Sequence, residues 1–279
     1  MSVSEAPGAR VTAGAGPRWR RPSLSTFLLL TLALALAAHG FTDGAAVSPL
    51  SLVDGLSRTI EFVADAFPPD LGRLGPVAEA MLVTLEMALI GTCLGVVASV
   101  PLAVLGARNT TPHPLVHGVT RAAIAFLRSV PDLVWGIVFV VTVGLGPEAG
   151  VLAIAADTAG FCGRFFADRI EDVEPEVVEG LTATGATRGG VLAGGVLPSV
   201  LPSFVGTSMF ALESATRSSV VLGVVGAGGI GVELTTSMQL LRYDEALTII
   251  LAIFVVVLGV ERVAARIRRK VGASGEVGF

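Results

Sequence analysis

Charge, and lysine above all, is scarce in this sequence. Charged residues make up 15% of the 279 residues, against roughly 25% in a typical soluble domain. Lysine occurs once, at Lys270, and the phosphate-binding loop of P-loop ATPases, G-x-x-x-x-G-K-[ST], cannot be built without a lysine in place. The chain therefore carries no such ATP site, and a partner must supply any work that ATP hydrolysis drives.

Cysteine and histidine are sparse as well. Cys93 and Cys162 both fall in apolar stretches, which favours small packing residues over a disulfide or a metal pair. His113 and His117 lie four residues apart, but the prolines beside His113 argue against a helix there. No histidine combines with carboxylates at metal-ligand spacing. We therefore expect no bound metal, no cofactor, no nucleic-acid partner and no enzymatic activity.

Apolar residues and glycine are abundant. Hydrophobic residues are 52% of the chain, the mean hydropathy is +0.77, and there are 34 glycines. Glycine is a poor former of soluble helices, but membrane helices use it for close backbone contact. The pair Gly91 and Gly95 predicts such a contact, within one bundle or between subunits. The composition predicts an all-α polytopic membrane protein.

Six apolar segments are long enough, or nearly so, for the roughly 20 residues that a spanning helix needs. The third of them is interrupted by Pro131. The segments run over about 24–41, 77–105, 122–145, 150–166, 196–225 and 246–260.

Arginine positions predict the orientation of these spans, because cytoplasmic loops are enriched in basic residues. Arginines concentrate in both terminal tails and in the connections after the second and fourth segments. This alternation predicts a multi-pass protein of the inner (plasma) membrane with both termini cytoplasmic. The first segment, with its basic flank and short apolar run, also resembles a cleaved signal peptide; retention as a span and cleavage both stay open.

The segment between the first two spans is polar and acidic. Leu52, Leu56, Ile60 and Val63 recur there at helical spacing, which predicts an amphipathic helix at the outer interface. That helix either packs as a plain connection or takes part in binding. The Gly-, Ala- and Pro-rich N-terminal tail is predicted to be disordered.

Residues 174–188 predict a short helix–turn–helix on the cytoplasmic face. Pro175 suits a first helical turn, and nearby glutamates load the positive end of the helix dipole. Val177, Val178 and Leu181 form one apolar stripe. Gly185 can end this helix, and a second short helix leads into the next span. Such an element can sit in a partner's groove; an ordinary surface loop is the alternative.

This loop resembles the EAA loop of ABC importer permeases, through Glu179, Gly185 six residues on, and Leu197-Pro198. In that family the loop forms the coupling helices that dock into the ATPase subunit. The match is partial, because Gly180 and Leu181 stand at the two alanines and Gly195 stands where isoleucine is usual. The resemblance implies that coupling is carried by Glu179, Gly180, Leu181, Gly185, Leu197 and Pro198.

A second resemblance, over about residues 76–270, is to the phosphonate-type permeases of the same superfamily. It is carried by four stretches of the sequence, 128–135, 143–147, 213–217 and 221–231. It implies a type I (MetI-like) importer permease with six transmembrane helices, carrying phosphonate or a related phosphorus oxyanion. Phosphite, hypophosphite, phosphate or another small solute remain alternatives.

The same resemblance implies the partners. These are ABC ATPase subunits that hydrolyse ATP, a periplasmic or lipid-anchored substrate-binding protein, and a second copy of this chain in a homodimer, with a heterodimer as the alternative. The implied division of the chain is a cytoplasmic tail 1–22, a first transmembrane helix 23–41, a periplasmic segment 42–75, a permease core 76–262 with the coupling loop 171–198, and a cytoplasmic tail 263–279.

Charged residues inside the apolar segments are the candidates for a translocation pathway. Glu213 and Arg217 are four residues apart, hence on one helix face, and burying charge in a bilayer is costly unless it is paired or faces water. They form either a structural ion pair or a site where Arg217 meets an anionic substrate while Glu213 holds its side chain. Asp157 is expected to face the bundle interior.

A glycine-rich run follows the fifth segment, with Gly226, Gly228, Gly229 and Gly231. Because glycine is a poor helix former, we expect irregular backbone buried in the protein near the outer side. A packing turn and an anion cradle made of backbone N–H groups are both possible.

A self-contained secondary transporter or channel for a small anion is the competing class. Such proteins often contain internal repeats with broken helices in corresponding positions. The coupling-like loop and the glycine-rich run each occur once in the sequence, which argues against a repeat.

Overall fold

The computed structural model describes residues 24–39 and 49–275, and every regular element in them is helical. Residues 1–23, 40–48 and 276–279 lie outside the described part. The predictions of a disordered N-terminal tail, of the end of the first span and of the last four residues of the C-terminal tail fall there.

The chain divides into two compact units, residues 1–61 and 62–279. Helix α1 (Leu24–His39) is mainly apolar, but its 16 residues are fewer than the roughly 20 that cross a bilayer. Helix α2 (Pro49–Asp65) carries the predicted apolar stripe, with Leu56, Ile60 and Val63 exposed. An amphipathic helix therefore occupies the acidic segment.

The remaining described residues of the second unit form nine helices joined by short turns. In chain order these are α3 (Leu74–Gly106), α4 (Pro114–Ser129), α5 (Asp132–Val143), α6 (Pro147–Glu171), α7 (Pro175–Ala183), α8 (Arg188–Val191), α9 (Leu197–Val224), α10 (Ile230–Gln239) and α11 (Tyr243–Gly275). A 3₁₀ turn precedes α3, and a five-residue π turn joins α8 to α9.

Four helices in the described residues are long and apolar enough to cross a membrane: Leu71–Gly106, Pro147–Glu171, Arg188–Val224 and Tyr243–Val271. The pair α4 and α5 counts as a fifth span only if it is taken together, because it bends by 91°. Pro131 lacks an N–H, and the residue before a proline avoids helical geometry; Val130 is accordingly extended. The predicted count of six is not confirmed, since α1 is short.

Two boundaries differ from the expectation. Helix α4 starts at Pro114, although the prolines beside His113 had argued against helix there. That expectation was wrong because proline suits the first turn of a helix, and the His113 ring accepts a hydrogen bond from the Leu115 N–H at 3.1 Å. At the other end, α11 continues without a break through Gly275, past the division drawn after residue 262.

Helices α3 and α6 pack with their backbones in close approach. A Cβ at Gly91 would lie 2.8 Å from Ile154 Cβ, and one at Gly95 would lie 2.5 Å from Thr158 Cβ. Both distances are too short for carbon atoms in contact. The small-residue stripe predicted for a helix contact therefore makes that contact inside this chain.

The core continues from α6 to α9. The rings of Phe166 and Phe204 stack with centroids 3.8 Å apart, and those of Phe161 and Phe210 with centroids 5.7 Å apart. Phe166 and Phe204 are both buried. Because α6 and α9 run in opposite directions, the second stack sets Asp157 of α6 at the height of Ser214 of α9.

The close approach of α3 and α6 predicts that Gly95→Val destabilises the bundle. Overpacking of this kind costs about 1–3 kcal/mol, so the melting temperature of the purified chain in detergent should fall. Gly118→Val is the matched control, because Gly118 is also helical and has no heavy atom within 4 Å of its added Cβ. Equal melting temperatures for the two variants would contradict the packing account.

Candidate functional site

The helix–turn–helix predicted after α6 is present. Pro175 occupies the first turn of α7, and Gly185 follows that helix with a φ of +83°, a left-handed conformation that favours glycine. Thr187 then caps α8 by accepting a hydrogen bond from the Gly190 N–H at 3.3 Å. The loop thus turns sharply between two short helices before the long helix α9 begins.

One side of α7 is open and the other is packed. Glu179 and Gly180 are exposed, and Glu179 forms no ion pair with any described residue. Val177, Val178 and Leu181 are half-buried on the opposite side. The acidic face is therefore free for a partner, while the apolar stripe fixes α7 to the bundle.

On the packed side of α7, a large side chain at position 181 lies against a glycine at position 195. A Leu181 methyl occupies the position that a Cβ on Gly195 would take, and Val177 Cγ1 lies 3.2 Å from that position. Gly195 belongs to the π turn before α9. The resemblance to permeases places alanine at 181 and isoleucine at 195. Here a large residue at 181 lies against the smallest residue at 195, so the two side-chain sizes are complementary.

An ion-pair network that the sequence did not reveal holds the helices from which this loop leaves. Arg121 of α4 donates to the Gly106 carbonyl at 2.7 Å, to Asp168 at 2.8 Å and to Glu171 at 2.9 Å. Glu171 also accepts the Arg108 N–H at 2.8 Å. These bonds tie α3, α4 and α6 together four residues before α7 starts. The acidic residues at the end of α6 indicated that a basic partner was needed. No local sequence pattern identified Arg121 as that partner.

The predicted pair of charges on α9 is present and includes a third member. Arg217 Nη1 lies 2.9 Å from Glu213 Oε1, and Arg268 Nη1 of α11 lies 3.4 Å from Glu213 Oε2. The Glu213 side chain is 11% exposed and that of Arg217 is 48% exposed. The buried Glu213 carboxylate therefore forms ion pairs with two guanidiniums. The guanidinium of Arg217 remains about half exposed. Sequence spacing could not connect Arg268 with a residue on another helix.

Asp157 does not join these ion pairs. Among the described residues it forms no salt bridge, and it lies within electrostatic range of Asp132 and Arg128. Arg128 packs against Gly160, one turn from Asp157, with Cγ 3.2 Å from an added Cβ there. The break between α4 and α5 thus meets α6 near Asp157, which is half-buried.

The glycine-rich run forms an irregular turn between α9 and α10. Gly226, Gly228 and Gly229 have φ of +85°, +85° and +72°, values that other residues rarely adopt. The turn packs on the connection between α5 and α6, where the Gly146 N–H donates to the Gly226 carbonyl at 3.1 Å. A Cβ on Gly231, in the first turn of α10, would overlap the Val220 carbonyl.

This turn lies well inside the bundle. The Ile230 N–H donates to Thr84 Oγ1 at 2.7 Å, and Thr84 lies about 15 Å along α3 from Leu74 at 1.5 Å per residue. The N–H groups of Gly226, Ala227 and Ile230 all donate within the chain. Three amides are thus unavailable to an anion, which favours a packing turn over a cradle.

Membrane-length helices, one bent pair and a helix–turn–helix define a membrane-embedded transport subunit. The chain belongs to the family of binding-protein-dependent transport system inner membrane components, whose profile matches residues 95–272. Its members are permease subunits of ABC importers and not enzymes, as the sequence predicted. Family membership also decides against a self-contained secondary transporter.

Solved structures with the same fold are type I importer permeases, which confirms the predicted MetI-like architecture. A chain of the inward-facing MetNI methionine ABC transporter superposes with a TM-score of 0.63 at 23% identity, covering 72% of this chain and 99% of that one. A chain of an amino acid ABC transporter gives a TM-score of 0.58 at 18% identity, covering 80% and 99%.

Curated relatives confirm the phosphonate-type subgroup. Phosphite transport system permease protein PtxC of Stutzerimonas stutzeri is 40% identical over 78% of this chain and 80% of its own length. Phosphate-import permease protein PhnE of Mycolicibacterium smegmatis is 40% identical over 79% of this chain. The match covers 42% of that relative, so this chain spans less than half of its length.

The contact between Leu181 and Gly195 predicts that a second substitution restores the stability lost by the first. Gly195→Ile should displace Leu181 and lower the melting temperature of the chain, because a buried overlap costs about 1–3 kcal/mol. Adding Leu181→Ala to the same chain should restore most of the loss, since it frees the space and returns both positions to the family pattern. A double variant no more stable than Gly195→Ile alone would refute the compensation.

Proposed function

We propose that this chain forms the translocation pathway for phosphonate or a related phosphorus oxyanion in an ATP-driven importer. The observation that carries the proposal is the half-open guanidinium of Arg217, held by the buried carboxylate of Glu213. The names of the relatives, which include phosphite and phosphate permeases, support the same substrate class.

The chemistry of the site suits an oxyanion. Arg217 directs one nitrogen to Glu213, which leaves other guanidinium donors for a phosphorus oxyanion, the planar bidentate recognition that arginine performs well. Glu213 also binds Arg268, so two positive charges surround one negative charge. The net charge of the cluster is positive, which favours an anionic substrate.

The half-buried face of α9 extends this site along the helix. Ser203, Thr207, Ser214 and Ser218 follow one another at spacings of four or seven residues and are all half-buried. They form one stripe along α9 whose centre lies about 70° around the helix from Arg217, beside its guanidinium. Hydroxyl groups beside a guanidinium supply both donors and acceptors, which is the lining expected of a path for a small hydrated anion.

Energy reaches this path through the loop after α6. We propose that the open face of α7, with Glu179, docks into an ATPase subunit, and that the packed face passes the movement to α9 through Leu181 and Gly195. The assembly then consists of two permease copies, ATPase subunits that hydrolyse ATP and an external substrate-binding protein. Both termini of this chain, and the loop, lie on the cytoplasmic side in this arrangement.

Replacement of Arg217 tests the pathway. Arg217→Ala should reduce phosphite or methylphosphonate uptake into proteoliposomes by about ten- to a hundredfold, because a charge-assisted hydrogen bond is worth about 1.5–3 kcal/mol, while the ATPase still co-purifies. Arg242→Ala is the matched control, since Arg242 is also a half-exposed arginine paired with a glutamate three residues away. Near-normal uptake by Arg217→Ala would remove the pathway role.

Charge reversal at Glu179 tests the coupling loop independently of substrate. Glu179→Arg should abolish co-purification with the ATPase without changing the melting temperature, because the side chain is exposed and makes no ion pair with the described residues. Glu148→Arg, an exposed glutamate at the opposite end of α6, should leave the association intact. Unchanged association of the Glu179 variant would refute the assignment.

A further inference from the structure

The outward face of α11 is apolar along its membrane-spanning part. Leu251, Phe254 and Val255 are 47%, 60% and 67% exposed, and the opposite face, with Ala246, Ile249 and Ala264, is buried against the bundle. Large exposed apolar side chains on a spanning helix favour lipid over water. The outward face of α11 is therefore suited to lipid down to the end of its apolar run.

Three arginines continue this same face below the apolar run. Arg262, Arg266 and Arg269 are exposed and follow one another at spacings of four and three residues. At 100° per residue, Arg262 and Arg269 lie within about 20° of the direction of Leu251 around the helix. Arg262 lies about 10 Å further along the helix than Val255. The arginines thus stand directly below the lipid-facing residues.

These three guanidiniums differ from their neighbour Arg268 in having no acidic partner within the described part of the chain. Arg268 is directed inward and pairs with Glu213, whereas no described residue forms an ion pair with Arg262, Arg266 or Arg269. Like charges at these spacings on a helix repel one another. Glu261 is exposed beside them and does not neutralise the stripe through a salt bridge.

A shallow groove lies between the arginines and the helix surface. Its floor is formed by the exposed apolar side chains of Val263 and Ile267, and its rim by Arg266, Arg269 and Lys270. Val263 and Ile267 lie about 120° and 160° around the helix from Leu251, beside the arginine stripe. An apolar surface next to cations at the end of a span suits a molecule with a charged head and a hydrocarbon tail. Arginine can also extend along such a surface while its guanidinium reaches the headgroup level.

We propose that Arg262, Arg266 and Arg269 form a binding site for the headgroups of anionic phospholipids at the end of α11. Charge complementarity favours this occupant, since clusters of basic residues immediately beyond a spanning helix attract acidic lipid. A second copy of this chain would bring the same unpaired positive stripe and be repelled. The bound lipid would neutralise the stripe and hold α11 in place against α9, next to the contact between Arg268 and Glu213.

The test is lipid selectivity of the full-length chain purified in detergent. Binding of fluorescent phosphatidylglycerol is compared with binding of phosphatidylcholine that carries the same label and acyl chains. The unaltered chain should prefer phosphatidylglycerol by up to about a hundredfold, since each arginine near an anionic lipid contributes about fivefold. R262Q/R266Q/R269Q should lose that preference and bind phosphatidylcholine as before.

Two control chains separate a site from general attraction. R108Q/R169Q/R188Q removes the same charge from exposed arginines outside α11 and should keep the preference. R262K/R266K/R269K keeps the charge and should also retain it. Loss of selectivity in the first control equal to that in the α11 variant, or an unaltered chain without selectivity, would overturn the proposal.

Two further measurements exclude other occupants of the stripe. Inorganic phosphate at matched ionic strength should not displace the labelled phosphatidylglycerol; displacement at millimolar concentration would identify a free-anion site and overturn the proposal. Co-purification with the ATPase should be unaffected in R262Q/R266Q/R269Q. Loss of the ATPase with lipid selectivity retained would show that the stripe is a protein interface.

Discussion

The arrangement of this permease depends on the close approach of α3 and α6. Gly91 and Gly95 face Ile154 and Thr158 without room for a Cβ, so the two helices share one fixed register. At one end of the pair, the turn after α9 packs against Gly150, where an added Cβ would lie 2.8 Å from the Ala227 carbonyl. The contact between α3 and α6 is thus continuous with the packing of the turn after α9.

At the other end of α3 and α6, the two helices are joined by hydrogen bonds and ion pairs and not by the packing of small residues. Arg121 bonds the last carbonyl of α3 and two carboxylates at the end of α6, so the start of α7 cannot move without disturbing α3. The stacked rings of Phe166 and Phe204 then connect α6 with α9. The segment around α7 is therefore joined to the helix that carries Arg217 by two contacts, the aromatic stack between α6 and α9 and the contact of Leu181 with Gly195.

Structural features that depend on residues close together in the sequence could be predicted. Contacts between residues that are far apart in the sequence could not. The helix–turn–helix around Gly185, the irregular glycine turn and the pairing of Glu213 with Arg217 all follow from local spacing. Arg268 and Arg121 bind residues 55 and 47–50 positions away, and no local pattern encodes such a meeting. Pro131 indicated a break, but the 91° angle was not predicted, and the packing of α5 on α9 through Gly136 and Leu222 joins residues more than 80 positions apart.

The chain has few charges, and its arginines differ in how many acceptors within the protein they bind. This difference distinguishes arginines with a structural role from candidates for a functional one. Arg121 has two carboxylates and a carbonyl, and only 17% of its side chain is exposed, so its hydrogen-bonding capacity is largely used inside the protein. Arg217 shares one carboxylate with Arg268 and stays half open. The arginines on the outward face of α11 have no partner among the described residues. Arg217 and the arginines on the outward face of α11 keep guanidinium donors that no described carboxylate fills, which is why we propose an anion from outside the chain, a substrate or a lipid, at these two places.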